Sequence, residues 1–464
     1  MSAPPRTTPD TRRLAPALVT IAFLGAVIGG VGAPLITSVA LALPVSLDSA
    51  QWTLTVTLFS GAVSAPILGR LGTGPHRRAA LLVTLGLVAL GGLLTALPLP
   101  FWVLLLGRAL QGLGLGAIAL LMSIARDHLT EDRAQSTIAT ISVAGTVGIG
   151  VAYPLMGLID QTAGLRIAYT VGFALSLLAV IIAWLTIPSD EKRATPRIDG
   201  LGAALLAIGT LGILYVVATP AVWHRPLTGV GILVAALAAL VAFTAWELRT
   251  AAPLVDLRLL ASGGILRANC AMLVAGIGMY LLFSLLTRYV QTPAGTGYGF
   301  GLSGVAAGAA LIPFSLLGFI AGRLTPGLTV RLGARGTFAV SAAAAVAAAA
   351  LFTLVPKSLV ATLGSMAILG FGVGGASAIM PRLVLDGAPR EETASVLSIN
   401  QIVRTVGFSI GSAVAGLLLA AATPTGARFP VAHGYQTAAL YVVPLLVLSA
   451  IALRSNAGKS STRR

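Results

Sequence analysis

Two arginines sit where charge is expensive. Arg108 lies in "LLLGRALQGLGLGAIA" and Arg404 in "SVLSINQIVRTVGFSIGSAVAG", both long apolar stretches. A guanidinium in such surroundings can bind an anionic or acceptor-rich solute, tune a nearby proton carrier, or tie helix-end carbonyls together. Gln111 follows Arg108 by three positions, which places both on one face of a helix. A proton carrier needs a group whose ionisation can be moved across ambient pH, usually a buried carboxylate or histidine. The 14 acidic residues all fall at the ends of apolar runs or between them, as do the 4 histidines. Asp48 and Asp160, at run ends, are the remaining candidates for handling a proton. Cys270 is the single cysteine, so no disulfide forms within one chain and no Cys/His cluster holds a metal. No glycine-rich phosphate loop with its lysine occurs. Neither a cofactor nor an enzymatic constellation is expected.

The elements that must position these residues are long apolar helices. Hydrophobic residues make up 56% of the chain and charged ones 9%, with a mean hydropathy of +0.95, whereas a soluble domain carries about 25% charged residues. A bilayer core needs about 20 apolar residues of helix to cross it, and inside lipid only helices and closed barrels satisfy their own backbone. Fourteen runs of that kind are read, near 14–36, 51–70, 79–98, 101–125, 135–159, 166–187, 200–219, 227–246, 268–290, 302–322, 336–355, 358–381, 394–421 and 436–453. The expected fold is all-α: a polytopic membrane protein of two six-helix bundles, 14–188 and 263–453, with helices 7 and 8 inserted in 189–262 and short tails at 1–13 and 454–464. The first run is read as a retained helix rather than a cleaved signal. The net charge of +16 has a membrane explanation, positive residues gathering in cytoplasmic loops, and nucleic acid is excluded as a partner. With the N-terminus inside, Arg108 and Arg404 lie within helices, Arg166, Arg225, Arg288, Lys357 and Arg428 fall outside, and the other 23 of the 30 basic residues fall inside. Both termini are therefore expected in the cytoplasm. Arginine outnumbers lysine heavily, which points to a GC-rich bacterial genome, and the expected location is a bacterial inner membrane.

The two blocks echo each other. "SAPILGRLGTGPHRR" follows helix 2 and "LGFIAGRLTPGLTVRLGAR" follows helix 10, each opening a basic turn with Gly-Arg-Leu. Parallel repeats flanking a midplane site are a transporter architecture. The chain resembles the major facilitator superfamily, and within it the fourteen-helix drug:proton antiporters. The strongest match is motif B in helix 4, with Arg108, Gln111, Gly112, Gly114 and Gly116. Others are "ALALPVSLDSAQWTLTVTLFSGA", "ELRTAAPLVDLRLL" and the helix 13 stretch around Arg404. Motif A is matched at Gly69, Leu71, Arg77 and Arg78, with Thr73 and His76 departing from it. Gly322, Arg331, Gly333 and Arg335 stand at its counterpart in the later block. Motif C is matched in part: Gly150, Pro154 and Gly157 suit a packed, kinked helix 5, but Tyr153 and Leu158 replace glycines. The family's helix 1 aspartate is absent, Leu35 holding its place.

The resemblance implies a secondary active transporter exporting small amphipathic molecules or drugs by alternating access, as a monomer in the lipid bilayer. It also implies proton antiport, in which Arg108 takes part in coupling; tying helix-end carbonyls is the alternative for this residue. Polar side chains expected to line the substrate cavity are Thr37, Ser38, Gln51, Thr55, Asn269, Tyr280 and Asn400, with Arg108, Gln111 and Arg404. A proton-independent facilitator of an anionic or neutral solute and a non-transporting sensor on the same scaffold are the other readings.

Overall fold

The computed structural model describes residues 9–454 apart from 33–34, 44, 46, 73–75, 189–198, 219–221, 223–224, 252, 256, 259–262, 387, 389–392, 425–426 and 428. Among the described residues every long element is a helix and none is a strand. The chain divides into two compact units, Met1–Leu260 with Ala388–Gln401, and Ala261–Gly387 with Ile402–Arg464.

The first unit holds α1 (Pro9–Gly30), α2 (Ile36–Ala42), α3 (Leu47–Leu71), α4 (Arg77–Ala96), α5 (Phe101–His128), α6 (Glu131–Ala163), α7 (Leu165–Thr186), α8 (Gly200–Ala218) and α9 (Pro226–Glu247). Helix α1 packs on α5, α6 and α7, α3 on α5, and α4 on α5 and α7. Helices α8 and α9 pair with each other and reach the rest of the unit through α3. Close approach is set by missing side chains. A Cβ at Gly112 would stand 2.2 Å from the Thr57 carbonyl oxygen, and one at Gly116 2.2 Å from the Ser64 hydroxyl. These motif B glycines are the seam between α5 and α3, the small-residue packing that lets helices meet in lipid.

The second unit holds α10 (Gly263–Gln291), α11 (Gly304–Ala309), α12 (Ile312–Leu354), α13 (Leu359–Leu385), α15 (Ala432–Leu440) and α16 (Val442–Arg454). Helix α14 (Thr393–Ala421) contributes its start, to Gln401, to the first unit and the remainder to the second. Helices α12 and α13 form the main pair, and α10 packs on α13 and α16. An aromatic cluster gathers Tyr289 of α10, Phe352 of α12 and Tyr435 of α15 with Tyr298 of the segment after α10. Tyr289 donates to the Pro356 carbonyl at 3.0 Å, and Tyr298 donates to that of Pro430. Burial, with Tyr435 and Tyr289 beside it, pushes the Tyr298 phenol up to about 12, so it remains a donor at physiological pH.

Among the described residues eleven helices are long and apolar enough to cross a membrane, twelve if the bent halves of α6 are one span. That is fewer than the fourteen expected, for two reasons. The apolar part of α8, Gly200–Val216, is shorter than the others. The run Ala306–Leu354 is continuous over 49 residues where two helices were expected. Its internal break is Gly333, at φ 71° and ψ 170°, a backbone conformation open to glycine. The basic turn expected straight after Gly322 is thus helical for a further stretch, and the turn falls at Gly333.

The first expected helix, 14–36, is corrected as well: α1 ends at Gly30 and α2 starts at Ile36. "GGVGAP" explains the break, since glycines favour helix weakly and Pro34 has no N–H to offer the Gly30 carbonyl. The last expected helix is likewise split, at Tyr441. Helix α6 bends by 41° between Gly145 and Gly150. Pro154 lacks the N–H that would bond the Gly150 carbonyl, the usual origin of such a kink.

Candidate functional site

The most enclosed polar constellation lies where α1 stops. Arg108 is 0% exposed. Its Nη1 donates to the Ile28 carbonyl at 3.1 Å, Nη2 to that of Gly29 at 2.9 Å, and Nε to that of Thr53 at 3.1 Å. Ile28 and Gly29 belong to the last turn of α1, whose carbonyls have no intrahelical donor and carry the negative end of the helix dipole. The guanidinium therefore caps a broken helix from outside. Gly32 makes room for it, because a Cβ there would lie 2.7 Å from Nη2.

Gln111 completes the arrangement. Its Oε1 accepts from Arg108 Nη1 at 2.5 Å, and its Nε2 donates to the Thr95 hydroxyl at 3.3 Å. The Thr57 hydroxyl bridges the Thr53 carbonyl at 2.8 Å and the Arg108 carbonyl at 3.1 Å. Thr53, Thr57, Thr95 and Gly32 were not singled out in the sequence. "TLTVT" in α3 was a visible run of hydroxyls, and "GGVGAP" a visible helix break. Two of the carbonyls that Arg108 binds stand at a helix end, and the third, that of Thr53, lies within α3.

Asp160, expected as a group at a run end, is half-buried near the end of α6 and accepts a hydrogen bond from the Ser38 hydroxyl on α2. Tyr169 of α7 is buried, and its hydroxyl, without a hydrogen-bond partner, acts electrostatically on both Arg108 and Asp160. The structure thus joins Ser38 with Asp160, and Arg108 with Gln111. Thr55 is buried on α3, and Asn400 is buried in the first turns of α14. The side chains of Thr37, Asp48 and Gln51 lie outside the described residues.

A second patch occupies the other unit. Tyr280 of α10 stacks on Phe408 of α14, with centroids 3.7 Å apart and planes 13° apart. Phe283 and Phe314 extend the aromatic surface. Arg404, buried, holds its guanidinium 6.0 Å from the Phe408 ring. Asn269 is buried too but spends its amide on the Ile265 carbonyl of its own helix, 3.0 Å away.

The motif A residues make a clasp rather than a pocket. Gly69 is buried, and Leu71 ends α3. Arg77, at the start of α4, is buried and forms an ion pair with Asp127 at the end of α5. Arg78 donates to the Trp184 carbonyl of α7 at 2.9 Å. Gly157 is buried in α6 and Gly322 in α12, while Arg331 and Arg335 are exposed on either side of the Gly333 break. Among the described residues no group of three or more His, Cys, Asp and Glu converges to hold a metal ion.

The Major Facilitator Superfamily model matches residues 17–412. The chain belongs to this superfamily. Among facilitators it is 30% identical over 349 residues to the lincomycin resistance protein of Streptomyces lincolnensis, covering 73% of this chain and 71% of that one. It is 28% identical over 380 residues to an uncharacterized MFS-type transporter of Mycobacterium tuberculosis, covering 79% of this chain but 54% of that protein's length. The crystal structure of the human organic anion transporter MFSD10 (TETRAN) has the same fold, with a TM-score of 0.68 at 16% identity over 96% of this chain and 100% of that one.

Proposed function

We propose that this facilitator exports small amphipathic molecules from a bacterial cell by alternating access, with both termini in the cytoplasm. Counting α8 as a crossing and α12 as two gives fourteen spans, the number that places 23 of the 30 basic residues on one side. The similarity to a lincomycin resistance protein supports drug-like cargo. The observation that carries the reading is the pairing of a buried guanidinium with stacked rings at Arg404, Tyr280 and Phe408. Rings bind flat apolar surface. A guanidinium in low dielectric favours acceptor groups or negative charge and repels a cation. Substrates are then neutral or anionic compounds with a planar apolar part. Coupling to protons, where it operates, falls to Asp160 beside Tyr169 and Ser38, or to Asp48.

The test is transport of matched anionic, neutral and cationic dyes into inside-out vesicles, with and without a pH gradient. Wild type is compared with Asp48→Asn and Asp160→Asn. Neutral and anionic dyes should accumulate, the cation poorly, and any pH dependence should vanish in one of the variants. Strong pH-driven uptake of the cation that survives both substitutions would overturn the assignment. The proton-independent facilitator remains the second reading, favoured by the position of every acid at a run end or between runs. Its signature is dye movement indifferent to the pH gradient.

A further inference from the structure

Glu247 ends α9 and is fully enclosed, at 0% exposed. Its two oxygens are treated differently. Oε2 accepts the Val255 N–H at 3.3 Å, whereas Oε1 has no hydrogen-bond partner. Oε1 is aimed at Gly202 on α8, where a Cβ would lie 2.5 Å from it. The same point is 2.9 Å from Oδ2 of Asp199, so two carboxylates converge on one spot that only glycine leaves open.

Asp199 is already saturated as an anion. Its Oδ1 accepts the Gly202 N–H at 2.9 Å, at the start of α8, and its Oδ2 accepts from Trp246 Nε1 at 2.7 Å. One cation bears on Glu247. Arg70 at the end of α3 acts on Glu247 electrostatically. Arg258, in the segment after α9, turns its guanidinium to the Leu248 carbonyl at 2.8 Å. An enclosed carboxylate with an unbonded oxygen beside a second carboxylate is disfavoured on two counts, desolvation and like charge, and neighbouring carboxyls in that situation keep a proton between them.

We infer that Glu247 and Asp199 form a proton-binding pair in which Glu247 carries one exchangeable proton on Oε1, facing the Asp199 carboxylate. The site lies in the inserted hairpin and is separate from Arg108, Asp160 and the Arg404 patch. Atoms balance simply: the proton comes from and returns to water, and Asp199 stays ionised.

The test uses the full-length protein in lipid nanodiscs and infrared difference spectra across a pH titration, which needs no transport and so stands apart from the exporter assignment. Wild type should show a protonated-carboxyl stretch that is lost as pH rises and shifts when glutamate is carbon-13 labelled. Glu247→Gln should lack the band. Asp199→Asn should keep it but lose it at a pH lower by about 1 unit or more, because the charge that holds the proton is gone. The labelling arm needs no variant, so it decides even where Glu247→Gln fails to fold. An unchanged spectrum in Glu247→Gln overturns the assignment. So does a band that ignores glutamate labelling, an unmoved midpoint in Asp199→Asn, or a carboxylate ionised throughout whose spectrum responds to sodium.

Discussion

Arg108 does its work through backbone. Three of its bonds go to carbonyls, two of them at the end of α1. Arg108→Ala would take its donor from the buried Gly29 carbonyl, at about 1–3 kcal/mol, and one of two donors from those of Ile28 and Thr53, which keep the Val31 N–H and the Thr57 hydroxyl. The expected outcome is normal membrane insertion, since no apolar run is interrupted, with lost vesicle transport and a lower melting midpoint by fluorescence-detected size exclusion. Arg108→Lys should restore little, because an ammonium cannot span acceptors on α1 and α3 as a planar fork does. Wild-type melting and transport in Arg108→Ala would remove the residue from any role. The arginine was legible in the sequence because its charge contradicts its surroundings. Its partners were not, because a carbonyl is present at every position and only the helix break makes those of Ile28 and Gly29 available. Glu247 was passed over for the opposite reason. It stands at a helix end, where an acid ordinarily meets water, and it lies against Gly202, which is far from it in sequence.

Among the elements, α3 and α5 are held at contact distance by Gly112 and Gly116. Gly112→Ala would drive a methyl to 2.2 Å from the Thr57 carbonyl oxygen and 2.8 Å from the Ser60 Cβ. Backbone cannot step aside as a side chain can, so α3 must move. That strains the bonds from Arg108 to Thr53 and from Thr57 to Arg108 together. A loss of about 1–3 kcal/mol of stability is expected, read as a lower melting midpoint with reduced transport. Gly86→Ala, on the exposed face of α4 with nothing within 4 Å, should leave stability unchanged or raise it. Helix positions were largely legible, since length and hydropathy are written along the chain. The internal breaks were less so. The one at Gly333 depends on one residue's backbone angle, and flanking apolar residues hide it. The one after Gly30 was spelled out in "GGVGAP" but fell inside an otherwise continuous apolar run.

For the whole molecule, the proposal of fourteen crossings rests on charge bias. Fourteen crossings require the segment after α7 and the C-terminus to share a side. Reporter fusions after residues 195 and 464 should both signal cytoplasm. A periplasmic signal at either would mean an odd number of crossings somewhere before it, and the count of fourteen would fall. The superfamily was legible because motif B and its neighbours carry a pattern of residue types. The cargo was not, because the recognition proposed for rings and a guanidinium constrains charge and flatness but no particular compound.

The capping of α1 by Arg108 also bears on how the first unit can move. A donor on α5 holds acceptors on α1 and α3, and the α3–α5 seam leaves no room to slide. Shear among these three helices would break several buried hydrogen bonds at once, whereas rotation of the three together keeps the bonds from Arg108 to α1 and α3. Any rocking of this unit therefore carries α1, α3 and α5 as one lever, with Arg108 as the pin through it.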